Sequence, residues 1–126
     1  MKHLIAFVVT LVLVFGISDT YAQKTTEIFI PIGQSPGVSS KYSVIAKIDQ
    51  VKAQGQSLVI ADSSGSYTVK ITEGTKIWLD KSKLKLTNQQ GAFSDFQKGL
   101  LIEVKYKESE LKNTVTAEWI KVQLTK

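Results

Sequence analysis

The sequence predicts an all-β protein, a small barrel of five to six strands with one short helical turn between the third and fourth main strands. Two observations carry this. From Tyr42 onward apolar and polar residues alternate with period two, in runs cut by turns rich in Gly, Asp and Ser. Only one stretch, residues 92–99, has helical spacing. No Cys occurs, so no disulfide contributes and the fold rests on packing and strand pairing.

The first strand spans Ser43–Val51, with Val44, Ala46 and Ile48 on one face; its continuation to Val51 implies a bulge or bend before the turn Ala53–Gln56. A second strand, Ser57–Ala61, turns through Asp62-Ser63-Ser64-Gly65 into a third, where Tyr67, Val69 and Ile71 alternate with Ser66, Thr68, Lys70 and Thr72. A short extension, Thr75–Leu79, sends Ile77 and Leu79 inward and Trp78 outward, and residues 80–91 read as a polar loop. Phe93 and Phe96 lie one helical turn apart, with Gly99 as the stop. The fourth main strand, Leu100–Lys107, alternates cleanly. The fifth, Thr114–Leu124, changes phase midway, which a bulge near Glu118–Trp119 reconciles. The inward set adds Leu58, Ile60, Leu100, Ile102, Val104, Ala117, Ile120 and Val122 to the residues already placed.

Three strands in meander, a helical turn and two further strands is the chain order of the OB-fold. An immunoglobulin-like sandwich needs about seven strands and a Trp and Cys pattern absent here. The runs Ile45–Ile48, Leu58–Ile60, Tyr67–Ile71, Thr75–Ile77, Phe93–Gly99, Ile102–Val104 and Ala117–Ile120 together resemble the small OB-like barrel domains of unknown function found in exported bacterial proteins. The resemblance covers about residues 42–123, with Ala46 and Phe96 where that family more usually has Gly and Leu. It implies the barrel and export, and transfers no catalytic residue.

Three segments precede or compose the chain. Residues 1–22 read as a secretion signal: Lys2 and His3, an apolar run Leu4–Val14, and Thr20 and Ala22 at the positions a signal peptidase reads. Residues 23–41 form a leader, in which Ile28–Ile32 is expected as a short edge strand limited by Pro31 and followed by a Ser35-Pro36-Gly37 turn. Residues 42–126 form the barrel domain. The expected location is periplasmic or extracellular, with no membrane association after cleavage.

Composition excludes much chemistry. The chain's one His and one Met both fall in the signal, and Cys and Arg are absent throughout, so beyond the signal there is neither imidazole nor thiol. Nucleophile–His pairs, His or Cys metal sites and haem attachment are therefore excluded, and no enzyme activity, metal or cofactor is expected. The net charge of +5 is carried by lysine alone. Without Arg, sequence-specific nucleic-acid reading is not expected, although a lysine surface attracts polyanions.

Four features are candidates for function. Tyr67 with Lys70, and Lys76 with Trp78, pair an aromatic ring with a cation, as a stacking surface does. Lys81, Lys83 and Lys85, interleaved with Leu84 and Leu86, could attract anions or protect a strand-like edge. Of the carboxylates Glu103, Glu108, Glu110 and Glu118, Glu103 and Glu118 should point outward beside Lys105 and Lys121, where cross-strand ion pairing accounts for them. The leader either completes its own domain or adds to a partner's sheet. The expectation is a monomeric binding or accessory module for a small molecule or partner protein, using the face near Trp78. The alternatives are an assembly protein docking through its leader and a weak, nonspecific polyanion or nucleic-acid binder.

Overall fold

A computed structural model describes residues 26–126. The signal predicted over residues 1–22, and the first three residues of the leader, lie outside the described residues. Seven strands form one sheet: β1 (Ser43–Lys52), β2 (Ser57–Asp62), β3 (Gly65–Lys70), β4 (Lys76–Asp80), β5 (Gln89–Gln90), β6 (Leu101–Tyr106) and β7 (Thr114–Gln123). Their order is β3-β2-β1-β6-β7-β4-β5, and a parallel pairing of β3 with β7 closes β1, β2, β3, β7 and β6 into a ring.

The all-β class is as the sequence predicts, with seven strands in place of five to six. The additional strand is β5, two polar residues whose pairing with Trp78 and Leu79 leaves no alternation to read. Three short 3-10 turns, Glu27–Phe29, Ser82–Leu84 and Phe93–Asp95, replace the single helical turn. The last of these is the predicted one: the Ala92 N–H donates to Asp95 Oδ2 at 2.7 Å, and the Phe93 and Phe96 rings meet edge-on at 5.5 Å.

β1 serves both halves of the ring. Lys47 is paired with Leu101 of β6 and with Ala61 of β2, and the register then slips at Asp49. A second slip, between Lys105 and Tyr106, leaves Glu118 of β7 as an extra residue. Val115 and Ala117 before it, and Ile120 and Val122 after it, all reach the core, while Trp119 and Lys121 face outward. Gly99, at φ +93, turns the chain after the Phe93–Asp95 turn and donates its N–H to the Ile48 carbonyl at 2.7 Å.

Every residue of the predicted inward set lies in the core or packs against it. Tyr106, Val115, Leu111 and Leu124 complete that core.

The leader differs from the expectation. Residues 28–32 form no strand; the Glu27–Phe29 turn is followed by further turns up to β1. The reason lies beneath it. Lys121 is fully buried, and its ammonium takes Glu27 Oε1 at 3.0 Å, the Ile30 carbonyl at 2.8 Å and Ser35 Oγ at 3.0 Å. A folded-back chain can deliver three oxygens to one point, which an extended strand cannot. Glu103, also fully buried, accepts from the Gly33 N–H at 2.9 Å, Ser39 Oγ at 2.6 Å and Ser43 Oγ at 2.7 Å. Although Glu103 and Lys121 are register partners, neither has the other as its ion-pair partner; each is turned to the leader. The pairing expected of the outward charges holds for Lys105 and Glu118, 2.9 Å apart.

Candidate binding site

β3 and β4 are two pieces of one path along β7, both parallel to it. The break between them is held by threonines: the Thr72 N–H donates to Thr75 Oγ1 at 3.0 Å, and the Thr75 hydroxyl donates to the Ala117 carbonyl at 2.7 Å. β4 then resumes with Ile77 and Leu79 toward the core, which sends Lys76 and Trp78 to the outer face.

Trp78 is half-buried and its ring lies 5.7 Å from that of Trp119, tilted by 33°. Behind Trp119, the Lys121 ammonium stands 4.6 Å from the ring centre. The aromatic pair is thus braced by the polar layer under the leader. Beside it an open cleft of about 360 Å³ is lined by Glu73, Thr75, Lys76, Trp78, Gln90 and Gly91. Gly91 has a steric reason to be there: a Cβ at this position would stand 2.8 Å from Leu79 Cδ2 and 3.0 Å from its Cγ, so the buried Leu79 side chain would have to shift. The missing side chain lets the end of β5 press against β4, with the Gly91 N–H on the Ile77 carbonyl at 2.8 Å.

Two predicted site residues, Lys76 and Trp78, therefore come together in the cleft, and the others do not join them. Tyr67 packs against the core, while Lys70, on the opposite face of β3, is exposed. Lys81, Lys83 and Lys85 sit on a 3-10 turn, so they guard no strand edge; Lys85 has φ +59, and the Leu86 N–H closes back on the Lys81 carbonyl at 3.2 Å. Gln90 and Gly91 are not legible as site residues, since the β4–β5 pairing that brings them to the cleft leaves no mark in the sequence pattern, and Glu73 and Thr75 read only as the turn and strand start before β4.

A second opening, of about 450 Å³, lies where the leader meets the sheet, between Pro31, Ile32, Ile45, Leu101, Asp80 and Lys83. Asp80 is buried at its edge. Burial pushes its carboxyl up, but the Ser82 hydroxyl at 2.6 Å, the Ile32 and Ser82 N–H groups, each at 2.9 Å, and the Lys121 charge together hold it below the usual aspartate value. Among the described residues no group of three or more His, Cys, Asp or Glu could hold a metal ion.

The site can offer a ligand an aromatic face, one flexible cation, one carboxylate and an amide, the Thr75 hydroxyl being held by Thr72 and Ala117. That combination suits a small polar molecule or a short polar segment of a partner. Comparison with protein-family models, with curated proteins and with solved structures gives no match for this chain.

Proposed function

We propose that this protein is an exported, monomeric, non-enzymatic binding or accessory module whose ligand, a small polar molecule or a short polar segment of a partner, seats in the cleft beside Trp78. The carrying observation is the convergence of Lys76 and Trp78 with Gln90 and Thr75 around an open cleft whose aromatic wall is stiffened by Trp119. A preorganised wall loses little freedom on binding. An OB-like barrel is the finer reading of the fold. It is supported by the meander β1–β2–β3, the return through β6 and β7, and the parallel closure of β3 on β7.

The outer face of β2 and β3, where OB-folds stack bases, presents Val59, Ala61, Ser66, Thr68 and Lys70 and no aromatic ring, which weighs against nucleic acid. The leader spends its polar groups on its own sheet, which favours the binding module over an assembly strand.

The chain's two tryptophans are the stacked pair itself, so its intrinsic fluorescence reports on the site. Titration with neutral oligosaccharides, short peptides and small organic acids should find a saturable change, weakened at least about tenfold by Trp78→Leu. A ligand that binds Trp78→Leu unchanged, or whose amide shifts map away from residues 73–78 and 90–91, overturns the proposal.

A further inference from the structure

We propose that the face formed by the Glu27–Phe29 and Ser82–Leu84 turns docks on an anionic lipid bilayer. One buried amide joins the two turns: Asn88 donates through Nδ2 to the Ile28 carbonyl at 3.0 Å and accepts the Lys81 N–H on Oδ1 at 2.7 Å. Within two residues of that joint, on either side, stand Phe29 and Leu86, which at 53% and 58% exposure are the two most exposed large apolar residues described. Beside them are Lys81, Lys83 and Lys85.

The charge at this face is unbalanced. Among the described residues the ion pairs are Lys105–Glu118 and Lys121–Glu27, so none of the three turn lysines has an ion-pair partner. Of the nearby acids, Glu27 is offset by Lys121, and Asp80 and Asp95, which keep their charge, accept from the Ile32 and Ser82 donors and from the Ala92 N–H and form no ion pair with the three lysines. From Lys81 to Ser94 the sequence has no Asp or Glu.

Exposed Phe and Leu beside unpaired lysines match the two-part chemistry of a membrane interface, with apolar groups for the acyl boundary and cations for the headgroups. A soluble polyanion would use only the second part. Such docking departs from the expectation of no membrane association after cleavage, and it is independent of the cleft beside Trp78.

The chain beginning at Gln23, the expected cleavage point, contains all the described residues and can be tested without the apolar signal. It should cosediment with phosphatidylcholine vesicles containing about one third phosphatidylglycerol and not with phosphatidylcholine alone, with binding that weakens as salt rises. Replacing Lys81, Lys83 and Lys85 by Gln should weaken that binding on the order of a hundredfold, and Phe29→Ser with Leu86→Ser about tenfold or more. Lys52→Gln with Lys107→Gln, away from this face, should leave it unchanged. Circular dichroism and melting of each variant separate lost binding from lost folding. Equal binding to neutral vesicles, or full binding by either variant of the docking face, overturns the proposal. So does heparin binding as tight as vesicle binding with Phe29→Ser and Leu86→Ser silent, which would make the face a general polyanion patch.

Discussion

The two sides of the sheet are buried by different chemistry. Inside the ring, aliphatic residues such as Ile60, Ile102, Val104 and Ile120 pack without solvent exposure. Outside it, under the leader, the equally buried groups are Glu103, Lys121 and Asp80, each supplied with specific hydrogen-bond partners. Apolar burial is non-directional and tolerates adjustment, whereas buried charge is costly unless each atom is met. The inner side therefore supplies most of the stability, and the outer side fixes one conformation of the leader.

The strongest way to break this comparison is to remove the leader. Deleting residues 23–41 strips Glu103 of two donors and Lys121 of all three hydrogen-bonded oxygens. The shortened chain should melt far lower or fail to fold, as thermal unfolding by circular dichroism would reveal; an unchanged melting temperature would make the outer layer irrelevant to stability.

Next in size come paired substitutions on neighbouring residues of β7. Ile120→Ala should cost about 2–5 kcal/mol by leaving a cavity. Lys121→Met should cost about 3 kcal/mol by orphaning its acceptors, and adding Glu27→Gln should recover part of that. Denaturant unfolding measures each cost. Hydrogen exchange should separate them: Lys121→Met loosens the leader first, whereas Ile120→Ala weakens the whole ring.

Acid sharpens the contrast further. Because the folded-state pKa of Asp80 lies below its ordinary value of 3.8, its contribution is complete above that value and fades as pH falls toward the folded-state pKa. Stability measured against pH should therefore drop less steeply in that window for Asp80→Asn. The smallest effect belongs to the exposed pair: Glu118→Gln, at a side chain 49% exposed, should change stability by no more than about 0.5 kcal/mol.

The inner layer was legible because alternation states directly which side chains share a face. Val44, Ala46 and Ile48 illustrate the regular case. The phase change between Ala117 and Ile120 located the Glu118 bulge because the core still had to be filled on both sides of it. The outer layer was not legible. Alternation places Glu103 and Lys121 away from the core and says nothing of what covers them, so solvent and a mutual ion pair were the natural reading. The leader's turns were hidden for the same reason, since Ile28-Phe29-Ile30 has a strand's composition and only the buried ammonium beneath makes it fold back. Of the site, Lys76 and Trp78 could be found from the phase of Ile77 and Leu79, while Gln90 and Gly91 reach it through a two-residue pairing with no periodic signature.

The strand that closes the ring is also the last in chain order of the seven described. Until β7 appears, β3 has an unpaired edge, β4 and β6 lack a shared neighbour, and Lys121 is not there for a leader that precedes it by up to 94 residues. Contacts so distant in sequence form slowly and only after the intervening chain is available. The strands before β7 thus remain a loose meander until that strand is present, and the ring and the leader's buried contacts form together with it.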